Sequence, residues 1–501
     1  MRFLPVRTII VVVWLGLMGW FIRYEAFPGW FTGALNGYRG LLSEGQIFAD
    51  SWMLIKFKEA TIGFSHMQVE MDEKNPSQRY RITSRTTLTL NLGGEQQLVN
   101  VSSVSRLDPM QRLISFEFSL AARQYAMSID GLRKDGERFR VRVKSSGGTF
   151  TSMVRIPDDA IIYSPMTMMS LGRMKPGETV KLKTFDPMNV GKDGAPIAEI
   201  FVKALRKEKF SWSTNSTEAT VLTVTYQGMD MTTWIDAQGQ ILREDTPFGW
   251  SMVASTAEEA VRNDKTSGRG GDLLTAMGVP VQGTIRDTEA CRELRVQLHG
   301  LHFSISDVAS ARQQVEMGSN ATAIVTLRAG ARDADKPLSD LERADGLAST
   351  TFIQSSVPEM KSKAAEITRG LTNDFDKALA IKNWVYKNLK KELAVSIPSA
   401  LDVLKQREGD CNEHTYLYVA LARAAELPSQ VRVGIVYKDG EYYYHAWPAV
   451  FVGHWLELDP TLNYDQLGTR HITLLQGELS SQIKLMSALG QLRVEILDQK
   501  Y

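Results

Sequence analysis

Cys411 stands in the stretch Gly-Asp-Cys-Asn-Glu-His, residues 409–414, and is one of two cysteines in 501 residues. A cysteine attacks as the thiolate, and a free thiol titrates near about 8.5. Asp410 reads as a helix N-cap and Glu413 as its capping-box partner, which makes Cys411 the first residue of a helix. The dipole and open N–H groups of a helix start favour a thiolate and could receive an oxyanion. The carboxylates of Asp410 and Glu413 oppose that charge, so a histidine is required as well. His445 is the leading base, on a predicted strand before Ala446-Trp447. Asp459, at the end of the next predicted strand, is placed to orient it. Cys411, His445 and Asp459 together would form a thiolate–imidazole–carboxylate relay.

Other residues compete for these roles. His414 lies on a neighbouring face of the same helix and is a rival base without an orienting partner. Cys411, His414, His445 and Asp459 would also suit zinc. Tyr444 and Trp447 read as walls of the cleft or the core, and as substrate-binding residues in the first case. His454 and His471 read as surface turn residues, and Cys291 as structural. No calcium loop of the D-x-[DN]-x-[DN]-G kind is present, so neither a metal nor another cofactor is expected.

The positioning elements follow from periodicity. In "DFDKALAIKNWVYKNL", Ala378, Ile381, Val385 and Leu389 form one apolar helical stripe. "PSALDVLKQREG" is a short helix with Ser399 as N-cap and Asp402 three residues on, close to a capping box. Leu417, Ala420, Leu421 and Ala424 continue the helix of Cys411. "QVRVGIVY" and "EYYYHAWPAVFV" are strands joined by Asp439-Gly440, a strong hairpin turn. Helices followed by an antiparallel sheet give an α+β class.

The first half has a different pattern. From 45 to 261 apolar residues alternate with polar ones, as in "RFRVRVK" and "TLTLNL", which predicts a large antiparallel β domain with one wet face. Residues 262–272 are charged and glycine-rich and read as a linker, and 273–346 as a mixed β region. Residues 477–501 read as a C-terminal extension. Before all this, residues 1–7 form a short basic tail and 8–22 an uncharged run. Fifteen helical residues span about 22 Å, against a hydrocarbon core of roughly 30 Å. Flanking apolar residues and snorkelling Arg7 and Arg23 complete the span. The run reads as an uncleaved signal-anchor, with a cleaved signal peptide as the alternative. Either reading puts the bulk of the chain outside the cytoplasm, and the anchor reading makes it single-pass on an inner membrane with its bulk in the periplasm or extracytoplasmic space. The net charge of +1 gives no argument for nucleic acid.

Around Cys411 the sequence resembles the core of the transglutaminase-like superfamily. The resemblance is carried by "SALDVLKQREGDCNEHTYLYVALARAAELPSQVRVGIVY" and "HAWPAVFVGHWLELDPTLN", and it covers 356–476. Gly-Asp-Cys at a helix start, a His followed by an aromatic on a strand, and a closing Asp-Pro-Thr all match. The resemblance implies a fold related to papain-like cysteine proteases. It implies Cys411 as nucleophile, His445 as base and acid, and Asp459 as orienting carboxylate. The expected activity is cleavage or acyl transfer at amide bonds of a protein or peptide substrate, with hydrolysis favoured. The alternatives are a protein-glutamine amine transferase and a non-catalytic envelope binding or assembly module. In either case the β domain would offer a surface to an envelope partner.

Overall fold

A computed structural model describes residues 33–34 and 49–501, apart from 73–75, 93, 124, 146–147, 163–170, 186–196, 213–214, 227–228, 248, 265–277, 393–398, 479–480, 483–484, 486–487 and 489. The predicted anchor at 8–22 and the tail before it lie outside the described residues, as does most of the predicted linker. No helix among the described residues is long and apolar enough to cross a membrane.

The alternating stretches form a 16-stranded sheet among the described residues. Its strands pair mostly with sequence neighbours, and Trp250–Ser255 closes back onto Ala49–Phe57. One edge strand is Gly148–Arg155. The next strand in the chain, Ala160–Ile162, pairs in parallel with Thr179–Phe185 near the opposite edge. The two ends of the sheet therefore approach each other, and the sheet curls around its apolar face. Phe139, Val141 and Val143 are buried there while Arg138, Arg140 and Lys144 face out. Phe116 packs between Phe139 and Phe185, with ring centroids 6.5 and 5.2 Å away. The cationic strand face is partly neutralised, because Arg138 pairs with Asp135 and Arg142 with Asp130.

The remainder is built on β1 (Val281–Gln282), β2 (Glu293–His299), β3 (Gln313–Met317), β4 (Thr322–Arg328), β5 (Ser429–Lys438), β6 (Glu441–Phe451), β7 (Trp455–Glu457), β8 (His471–Gln476) and β9 (Arg493–Lys500). Its main helices are α1 (Pro358–Ile367), α2 (Asp374–Asn388), α3 (Ala400–Gln406) and α4 (Cys411–Ala424). One sheet has the order β1-β9-β2-β4-β3 and the other β7-β6-β5-β8. β9, in the stretch expected to be an extension, lies inside the first sheet between β1 and β2. Its apolar Val494 faces Leu298 there, both buried.

Sequence chemistry explains the second sheet. Asp439 and Gly440 both have positive φ, 52° and 93°, the requirement of a tight hairpin that twists with its strands. That turn fixes the register of β5 and β6 and sets Gly434 opposite His445. A Cβ on Gly434 would stand 2.0 Å from the Ile472 carbonyl oxygen and 2.8 Å from the Trp447 ring. Glycine alone lets β5, β8 and Trp447 close up beneath His445. α4 packs against β5 and β6 on one side and α1, α2 and α3 on the other. Its residues from Glu413 to Arg423 are all buried.

Candidate active site

α4 starts as its sequence predicts. The Asp410 carboxylate accepts from the Asn412 N–H at 2.8 Å, and the Glu413 carboxylate accepts from the Asp410 N–H at 2.8 Å. Gly409 has φ +150°, and a Cβ there would lie 2.3 Å from the Glu413 side chain. The glycine thus makes room for the cap that aims Cys411. The other expected capping box does not form. Ser399 makes no side-chain cap bond, and both carboxylate oxygens of Asp402 are buried without a partner.

Cys411 is partly exposed and free, as is the buried Cys291, so no disulfide consumes either thiol. The electrostatics differ from the thiolate expectation. Burial pushes the Cys411 thiol well up, and Asp410, Glu413 and Asp459 add to it, while the Ala446 N–H on the sulfur pulls the other way. The helix terminus alone does not overcome desolvation and neighbouring carboxylates, so a base is needed.

His445, buried on β6, meets Asp459 through Nε2 at 2.7 Å from Oδ2. A carboxylate only accepts, so the imidazole proton sits on Nε2 and Nδ1 keeps a lone pair. Asp459 is fully buried and takes three further donors. His471 Nε2 lies 3.1 Å from Oδ2, and the Thr461 and Leu462 N–H groups lie 2.7 and 2.9 Å from Oδ1. Pro460 has no N–H, which accounts for the turn reaching past it in Asp-Pro-Thr. Backbone bonds between Asp459 and Tyr464 close this loop. Buried Lys382 of α2 pins it by bonding Asn463 at 2.8 Å and Asp465 at 2.5 Å. Burial alone would push the Asp459 carboxyl up, but His445 and His471 outweigh it and hold it far below the usual carboxylate range.

The other candidates separate. Tyr444 lies beside Cys411, and its hydroxyl donates to Asn412 Oδ1 at 2.9 Å. Asn412 was not singled out from sequence. Trp447 does not wall the cleft. It is fully buried below His445, with ring centroids 5.8 Å apart, and its indole N–H donates to Glu457 at 2.8 Å. His414 is fully buried, and its Nδ1 is occupied 2.7 Å from the Asp410 carbonyl. His454 is only partly exposed and bonds Asp335. His471 departs furthest from expectation, because it is fully buried and sits on Asp459.

The alternative zinc set of Cys411, His414, His445 and Asp459 is not among the ligand clusters of the described residues. The atoms that do converge belong to His445, Asp459 and His471, within 4.8 Å of one another. Two ligands of one tetrahedral zinc stand roughly 3.3 Å apart, given bonds of about 2.0 Å. The 2.7 Å His445–Asp459 contact is shorter and is a charge-assisted hydrogen bond.

Residues 361–460, which hold Cys411, His445 and Asp459, match the family model described as the transglutaminase-like superfamily. No curated protein matches the chain. Among solved structures, a candidate cysteine protease from Cytophaga hutchinsonii is 16% identical, with 42% of this chain and 89% of that one covered and a TM-score of 0.30. The periplasmic domain of TgpA from Pseudomonas aeruginosa, bound to ethylmercury, is 16% identical over 36% of this chain and 86% of that one, at a TM-score of 0.24. A beta-barrel-like protein of a domain of unknown function from Brucella abortus is 10% identical over 42% of this chain and 95% of that one, at 0.30. With an α+β fold around it, the stretch 361–460 is similar to the transglutaminase-like superfamily.

Proposed function

We propose that the protein is a thiol acyl enzyme that hydrolyses amide bonds of a protein or peptide substrate, with Cys411 as nucleophile, His445 as base and acid, and Asp459 as orienting carboxylate. The observation that carries this reading is the His445 Nε2 contact to Asp459, which leaves Nδ1 as the open nitrogen of the ring. As Sγ attacks the scissile carbonyl carbon, Nδ1 takes the thiol proton. The oxyanion is received by the Cys411 N–H at the start of α4, since the Asn412 and Glu413 N–H groups already donate to the Asp410 carboxylate. Collapse breaks the C–N bond, the leaving amine takes the proton from His445, and a thioester remains on Cys411. Water then attacks, again losing a proton to His445, and the thiol and a carboxylic acid are released. An amine in place of water would give transfer. Tyr444 and Asn412 edge the substrate side of Cys411.

The N-terminal run supports a location outside the cytoplasm with the chain held at a membrane. The curled β sheet would then face the envelope and present a partner surface there.

Incubation with unfolded protein substrates, read by mass spectrometry, tests the chemistry. New carboxyl termini should appear, and an acyl adduct on Cys411 should be trapped early. Amide products formed from an added amine would turn the reading toward transfer. Undiminished cleavage by Cys411→Ala would overturn it.

A further inference from the structure

We infer that His471 is a positioning residue that sets the basicity of His445 through the carboxylate oxygen they share on Asp459. This rests on the relay reading above.

His471 begins β8, outside the stretch that matches the family model. Its ring is fully buried, its Nε2 contacts Asp459 Oδ2, and its Nδ1 has no partner. The carboxylate cannot donate, so the proton of His471 sits on Nε2. Oδ2 thereby receives two imidazole N–H donors, from His445 and His471. The charge that Asp459 offers the imidazolium of His445 is shared with a neutral second ring.

The ring is held from a distance. Arg312, just before β3, donates to the His471 carbonyl at 2.9 Å, to the Gly468 carbonyl at 3.2 Å, to Glu457 at 2.8 Å and to the Thr473 hydroxyl at 2.9 Å. Gln313 bonds both backbone groups of Thr473, at 2.7 and 2.8 Å. Tyr464 and Trp447 meet the ring edge-on at 5.7 and 5.1 Å. The charged or titratable groups that face the His471 ring are Asp459, His445, Arg312 and Tyr464. Burial holds His471 down at about 4, so it stays neutral where the relay works.

The test follows ring nitrogens by NMR in the full-length protein labelled with 15N-histidine, together with the pH profile of kcat/KM. In the unmodified protein His471 should be the Nε2–H tautomer and uncharged at pH 6. In His471→Phe the titration of His445, and the limb of the profile that reports it, should rise by about one pH unit. That is the scale of one lost charge-assisted hydrogen bond. His471→Gln, whose amide can donate to Oδ2, should return the profile toward the original. An Nδ1–H tautomer for His471, or an unchanged His445 titration in His471→Phe, overturns the inference. If His471→Phe does not fold, the tautomer of the unmodified protein and the His471→Gln profile decide it. The tautomer needs no activity, so failure of the relay reading would appear separately, as undiminished activity in Cys411→Ala.

Discussion

Two buried carboxyl groups, one in each half of the molecule, are shifted in opposite directions. Glu244 lies in the large sheet with 3% of its surface exposed, and Asp459 lies in the candidate site with none. Glu244 has the Thr233 hydroxyl at 3.1 Å as donor and Asp245 as neighbour. Burial pushes it up to about 7. Asp459 has two imidazoles and two backbone N–H groups, and stays ionised. Glu457 is a third case: burial pushes it up, but Arg312 and Arg432, with Trp447 and Thr473, bring it below its usual range. Depth does not decide the charge of a carboxyl group; the count and sign of its donors do.

The contrast can be broken first at Asp459. Asp459→Ala should cut the rate by roughly 10³–10⁴. It should also cost stability, at roughly 1–3 kcal/mol for each donor left unpaired. Steady-state kinetics and denaturant melts measure both, and a loss under tenfold would deny Asp459 its orienting role. The second prediction concerns pH. His471 titrates below its unfolded value, so its contribution is complete above about 6.5 and is lost as pH falls toward about 4. The size is roughly 3 kcal/mol. Asp459 and Glu457, both depressed, lose theirs in the same direction at lower pH. Glu244 is raised, so its contribution is complete below about 4.5 and is lost as pH rises toward 7. Hydrogen exchange should show the catalytic sheet weakening in acid and the large sheet weakening as pH rises. A uniform pH response across both would refute the contrast.

Trp447→Phe should have a smaller effect. It leaves Glu457 short of one donor and opens space below His445, costing about 2 kcal/mol. KM should change little, because Trp447 touches no open cleft; a large rise in KM with stability intact would return it to the substrate wall. Glu244→Gln should be nearly neutral in thermal unfolding at pH 5. At pH 9 it should stabilise, because an ionised side chain is no longer buried.

Much of the site was readable because its geometry is local. Asp410 and Glu413 cap three residues apart, Asp439-Gly440 names its own turn, and period-two alternation marks Phe139, Val141 and Val143 as inward. What escaped is held by distant partners. His471 opens a strand whose first four residues are all buried, so no alternation flags it, and its partner Asp459 reaches it only through the fold. Trp447 could not be assigned to cleft or core from sequence, because an aromatic beside a histidine looks the same whether it faces a cleft or Glu457. Asp402 shows the limit of local rules, since the capping spacing is present and the bond is not.

The place of β9 between β1 and β2 has a kinetic meaning. Glu293 on β2 pairs with Arg328 on β4 and with Lys500 on β9. The segment between β4 and β9, which holds every relay residue, is thus a loop with both ends sewn into one sheet. Such a clasp forms late, because it joins residues far apart in the chain. Once formed, it restrains both ends of the catalytic segment without a covalent link. A single proteolytic cut within that segment would leave two fragments still gripped by the same sheet.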